Sequence, residues 1–285
     1  NVASRYTHIE APNGDLIQFL IQDNFTVPQI LHTRRVLESY LTDIPDTDWG
    51  SDKSNIAIAM AASNAIMFLL NDEDEYENPY IWDIFDSGVN GQDLLAIEVF
   101  PEGSSEYMNS TERDATYEEV LHFMHGYGVQ LALPAMQNAI ESAMLNAINN
   151  DVYNPLSDLP EDDFDEEYFA MGLECYFGLW AHDPNGDGFC GDQEYAFITR
   201  EAMAIGDSAL FAIINGYFGE AWEYTAVLPQ GFNSNFFMKN QEGLDYTYRS
   251  QYLKNIETSG DQSINFYGND FSNQIVGTNG NNTFI

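Results

Sequence analysis

The chain has 285 residues with 46 acidic against nine basic side chains, a formal charge of −37, and 44% hydrophobic content. That much apolar material can bury a core in one large or two small domains, which excludes general disorder. The charge repels phosphate backbones and anionic membrane surfaces, so nucleic acid is excluded as a partner. It suits surroundings rich in salt or divalent cations, although an ordinary solvated surface accounts for it equally well.

Asn1–Arg5 lacks a basic segment followed by an apolar one, so a secretory signal is either absent or already removed. In the first 90 residues Arg34-Arg35 and Asp52-Lys53 are too sparse to define a site. The apolar stretches 56–70 and 129–136 are broken by polar residues and fall short of the roughly 20 residues a membrane helix needs, so no membrane span is expected. Helical periodicity predicts helices over 30–41, 54–70, 116–125, 134–149, 165–177 and 207–218. Leu94–Phe100, bounded by Gly91 and by Pro101-Glu102-Gly103, is predicted as a short strand. The expected fold class is therefore α+β, mostly helical with a small sheet.

The helix at 116 opens T-Y-E-E-V-L-H over residues 116–122. Residues four apart share a helix face, so Glu118 and His122 can reach one ion while Glu119 stands as general base. This resembles the H-E-x-x-H helix of zincin metallopeptidases with the first histidine replaced by glutamate. Downstream, E-Y-F-A-M-G over 167–172 resembles the E-Y-W-A-E-G segment of secreted glutamate-type zincins, and Thr199–Met203 with Asp207–Phe211 is similar to the stretch that closes that domain. The resemblance spans about residues 90 to 220 and departs at Glu118 and at Met171, which stands where the family has its glutamate ligand. It implies a zincin-like domain over 1–255 with a strand along which substrate lies extended.

Glu174 lies one turn beyond Met171, so the expected transition-metal ligands are Glu118, His122 and Glu174. His125 shares the face of Glu118 and His122, but seven residues are about 10 Å along a helix, too far for convergence on one small ion. It reads as a residue beside the metal or in contact with substrate, or equally as a cation at the helix carboxy terminus near Gly126 and Gly128. Two carboxylates with one histidine neutralise a divalent ion and weaken its acidity toward a carbonyl. Zinc is the first expectation, and the oxygen-rich set shifts preference toward manganese, iron or magnesium. The expected activity is hydrolysis of a protein or peptide substrate by a metallopeptidase; the alternative is a noncatalytic, calcium-stabilised extracellular binding protein on a decayed zincin fold.

A second motif, D-P-N-G-D-G-F-C-G-D-Q-E over 183–194, fits an EF-hand-like calcium loop. Asp183, Asn185, Asp187 and Glu194 offer side-chain oxygens, Phe189 its carbonyl, and Gly188 the sharp turn. The only cysteines, Cys175 and Cys190, bracket this region and read either as a disulfide or as two buried thiols.

The tail, 256–285, contains two nine-residue units, G-N-D-F-S-N-Q-I-V over 268–276 and G-T-N-G-N-N-T-F-I over 277–285. They resemble the calcium-binding nonapeptides of hemolysin-type (RTX) repeats, with Asn273 and Asn282 at aspartate positions, which weakens calcium binding. Two units alone cannot stack into a continuous core, so they read as a remnant, a cap or the start of a longer array. The resemblance implies a secreted, extracellular protein.

Overall fold

The computed structural model describes residues 3–179 and 194–285. Strands β1 (Arg5–Glu10) and β2 (Leu16–Ile21) form an antiparallel hairpin. Helix α1 (Val27–Tyr40) follows, started by Thr26, whose side chain accepts from the Gln29 N–H while Gln29 reaches back to the Thr26 amide. Helix α2 (Ser54–Ala62) leads into β3 (Ile66–Leu70), and helix α3 (Pro79–Asp86) into β4 (Gly91–Leu95). The sheet order is β1-β2-β3-β4, with β2, β3 and β4 parallel and β4 at the edge.

Two predicted elements differ. The expected helix 54–70 breaks at Asn64, which takes φ 54°, and its second half is β3. The apolar run 66–70 has no period to separate helix from strand, and it forms a strand because β2 and β4 flank it. The expected strand 94–100 starts earlier, at Gly91, and ends at Leu95, whose N–H donates to the Glu98 carboxylate at 2.9 Å as the chain makes a tight turn.

A short helix α4 (Ser105–Asn109) precedes α5 (Thr116–Met124). The chain continues through a π-helical turn, His125–Val129, into α6 (Gln130–Ala132) and then α7 (Pro134–Asn149). Helix α8 (Phe164–Phe177), buried continuously from Tyr168 to Phe177, ends at Gly178 in the left-handed region. Helices α9 (Arg200–Gly206) and α10 (Ser208–Phe218) pack on it. The molecule is thus of the mixed α+β class, and among the described residues no helix is long and apolar enough to cross a membrane.

From Trp222 onward the chain coils. It passes through β5 (Trp222–Val227), β6 (Phe236–Phe237), helix α11 (Thr247–Ser250), β7 (Leu253–Glu257), β8 (Asn265–Tyr267), β9 (Gln274–Val276) and β10 (Thr283–Phe284). Strands β5-β7-β9 make one parallel sheet and β10-β8-β6 another, so successive strands alternate between the two. Phe236, Phe266 and Phe284 stand in register, with the last two rings stacked at 5.6 Å. The segment 256–285 supplies the later passes of a coil that begins before it. One buried core runs from Ala11 to Phe266 and joins the helices to this coil.

Candidate metal centre

A buried polar network sets the approach to α5. Asp114 accepts from the Thr116 N–H at 3.1 Å and pairs with His32 Nε2 of α1 at 2.7 Å. The Tyr224 hydroxyl donates to Glu102 at 3.0 Å, so it accepts from His32 Nδ1 at 2.6 Å, and the imidazole is a double donor. Burial opposes charge on His32, yet Asp114 and Glu102 outweigh it and raise its pKa. Burial likewise opposes charge on Asp114, but His32 and the Thr116 hydrogen bonds hold its carboxyl below the usual range. Residue 113 is thereby fixed beside the first turn of α5.

Helices α5 and α8 pack against each other with the start of one facing the end of the other, so Arg113 meets Glu174 and His122 meets Glu167. One ligand atom from each of Glu118, His122 and Glu167 lies within 4.8 Å of the others. His122 is nearly enclosed, and its Nε2 is buried without a hydrogen-bond partner, 3.9 Å from Glu167 Oε1. Its Nδ1 lies 3.7 Å from Glu119 Oε2. Burial acts against the imidazolium, but Glu119, Glu118 and Glu167 overcome it and push the pKa up to about 10. Burial pushes Glu167 up to about 7, with His122 pulling the other way and Glu118 and Glu119 adding to the rise. A buried imidazole with one empty nitrogen among carboxylates is a donor set for a divalent cation.

Glu174, expected as the third ligand, stands apart from this group. It is buried and accepts from Arg113 Nε at 3.1 Å and Nη2 at 2.8 Å, and Arg113 also bonds Glu118. Burial raises Glu174 to about 8 against the pull of Arg113, while the same guanidinium overcomes burial to keep Glu118 below its ordinary value. The carboxylate that lies within reach of both Glu118 and His122 is Glu167, one turn before Met171 rather than one turn after it. The signal was present in that spacing, but only the antiparallel packing of the two helices decides which side of Met171 faces His122.

Glu119 points beside the group, and its Oε2 accepts from the Gln92 amide of edge strand β4 at 2.6 Å. His125 has no exposed surface in this structure, and its Nε2 lies 2.7 Å from Gln137 Oε1. Burial lowers its pKa to about 4, against Asp165 and the Gln137 hydrogen bond. Of the calcium loop, Asp183, Asn185, Asp187 and Phe189 lie outside the described residues, as does Cys190. Glu194 is buried, and its backbone carbonyl accepts from Asn154 at 2.7 Å. Cys175 is a buried free thiol, and burial raises its pKa.

Compared with known proteins, the chain matches no protein-family model, no curated protein and no solved structure.

Proposed function

We propose that this protein is a divalent-metal-dependent hydrolase acting on peptide bonds, with Glu118, His122 and Glu167 as metal ligands and Glu119 as the general base. The observation that carries the reading is the convergence of three ligand atoms within 4.8 Å around a buried imidazole nitrogen that has no other partner. A divalent cation bound there supplies a Lewis acid for the scissile carbonyl and lowers the pKa of coordinated water. Glu119 is the residue to take and hold the water's proton, because it lies on the same helix face edge and Gln92 fixes one of its oxygens. Gln92 belongs to strand β4 at the edge of the sheet, which puts that edge beside the base. Arg113 engages Glu174 and holds that carboxyl away from the three donors.

The reading extends to a secreted protein, supported by the nine-residue period of the tail, and to calcium at 183–194, supported by the loop's sequence. The donor set suits zinc, manganese or iron. The test is peptidase activity and metal content measured together: Glu119→Gln is expected to lose at least 100-fold in cleavage rate with metal retained. Unchanged cleavage removes Glu119 from the mechanism, and wild-type protein without any transition metal after chelator-free purification removes the enzyme altogether.

One observation favours a second reading, a noncatalytic binding module. Arg113 already supplies a cation to Glu118 and Glu174, so part of the site is neutralised without metal. Under that reading the purified protein carries calcium only and cleaves no peptide.

A further inference from the structure

Next to the proposed centre, the π-helical turn and α8 build a second set of donors. Gln137 Nε2 donates to Glu141 at 3.0 Å and to Asp165, so its carbonyl is the end that faces His125 Nε2. That nitrogen must therefore carry the imidazole proton, and His125 Nδ1 presents a lone pair. Nδ1 is buried without a hydrogen-bond partner and lies 3.7 Å from Glu166 Oε1. A lone pair facing a carboxyl oxygen at that distance is relieved by a positive charge between them, which a proton or a metal cation supplies. Two successive residues of α8 thus each oppose an empty, buried imidazole nitrogen, Glu167 opposing His122 and Glu166 opposing His125.

A third donor comes from the backbone geometry. In an α-helix, five residues turn through about 500°, which would rotate Gln130 roughly 140° away from His125. Here the Gln130 N–H bonds the His125 carbonyl in a π turn, which brings the two side chains one turn apart on the same side. The Gln130 amide nitrogen donates to Glu166 Oε1 at 3.3 Å, and a cation held there requires the amide to turn over and offer its carbonyl instead. Gly126 leaves room for that carboxylate, since a Cβ there would lie 3.0 Å from Glu166 Oε1.

We propose that His125, Gln130 and Glu166 hold a second divalent cation, making a two-cation centre with Glu118, His122 and Glu167. One imidazole nitrogen with two oxygens suits manganese, iron or zinc, water completing the shell. The inference rests on the reading of the first site, and the experiment separates the two. Manganese binding to the full chain is measured by equilibrium dialysis with saturating calcium in every sample, together with the electron paramagnetic resonance of the bound manganese.

Wild type is expected to bind one more manganese ion than Glu166→Gln, with a correspondingly larger bound-manganese signal. Gln130→Ala is expected to weaken the second ion at least tenfold. Glu166 is partly exposed, so its amide variant keeps the fold. Equal manganese counts in wild type and Glu166→Gln, with a loss in Glu118→Gln, overturn the second site and leave the first. Absence of manganese from wild type overturns both.

Discussion

Lys53 has no exposed surface, and its ammonium lies 4.2 Å from the ring centroid of Tyr217 and 5.5 Å from that of Phe218, without a hydrogen-bond partner. Burial lowers its pKa to about 7, against the pull of Asp43 and Glu223. The unfolded side chain titrates near 10.4, so below about pH 7 both states are charged and the folded chain bears the full cost of the buried ammonium. That cost shrinks as pH rises from about 7 toward 10.4. Lys53→Met, which keeps the volume, is expected to stabilise the fold by about 1–4 kcal/mol at pH 6 and by less at pH 9. Denaturant unfolding at both pH values checks this, and a variant less stable than wild type at pH 6 would show that the ring contacts outweigh desolvation.

At the scale of elements, the coil depends on asparagine amides. Asn273 Nδ2 donates to Asn269 Oδ1 at 2.8 Å and to the Lys254 carbonyl at 3.4 Å, and Asn282 Nδ2 donates to the carbonyls of Thr278 at 2.8 Å and Gly280 at 3.1 Å. These amides present positive hydrogens to oxygens that a cation would otherwise have to satisfy. An aspartate at either position turns donor into acceptor, so Asn273→Asp and Asn282→Asp are each expected to cost about 1–3 kcal/mol in calcium-free buffer. Thermal unfolding with and without calcium reads this out; an unchanged melting temperature in the absence of calcium refutes the role of the amides.

The tail's period was legible in the sequence because its register residues recur every nine positions. That β5 and β6 begin the same coil was not legible, since they precede the repeat and share only the aromatic register of Phe236 with Phe266. The same division holds at the proposed metal centre. Glu118, Glu119 and His122 follow from spacing along one helix, whereas Glu167 and Arg113 follow from how two helices cross, which no local pattern encodes. The break of 54–70 into α2 and β3 was hidden for a related reason: a run buried on both faces carries no period.

Across the whole molecule, buried carboxyls dominate the acid–base behaviour. Burial raises Glu98, Glu166 and Glu167 to about 7 and Glu174 to about 8, whereas the unfolded chain loses those protons near pH 4.3. Between about pH 4.3 and 7 the folded state therefore binds more protons than the unfolded one, and stability falls as pH rises. Calorimetry in chelator is expected to show a melting temperature that declines from pH 5 to pH 7.5. Excess manganese or zinc should reduce the decline, because metal takes the place of the protons. A flat or rising melting temperature in chelator contradicts these raised carboxyls.

The alternating parallel coil also dictates an order of opening. Strand β5 packs directly on α1, β7 on β5, and β9 on β7, so each pass leans on the one before it. Such an array behaves as a one-dimensional stack in which stability falls with distance from the helices that anchor it. Amide hydrogen exchange should accordingly trace a gradient along the sequence, slowest in 222–227, intermediate in 253–257 and fastest in 274–276. The passes farther from α1 would then open like an unlaced seam while the helices remain closed.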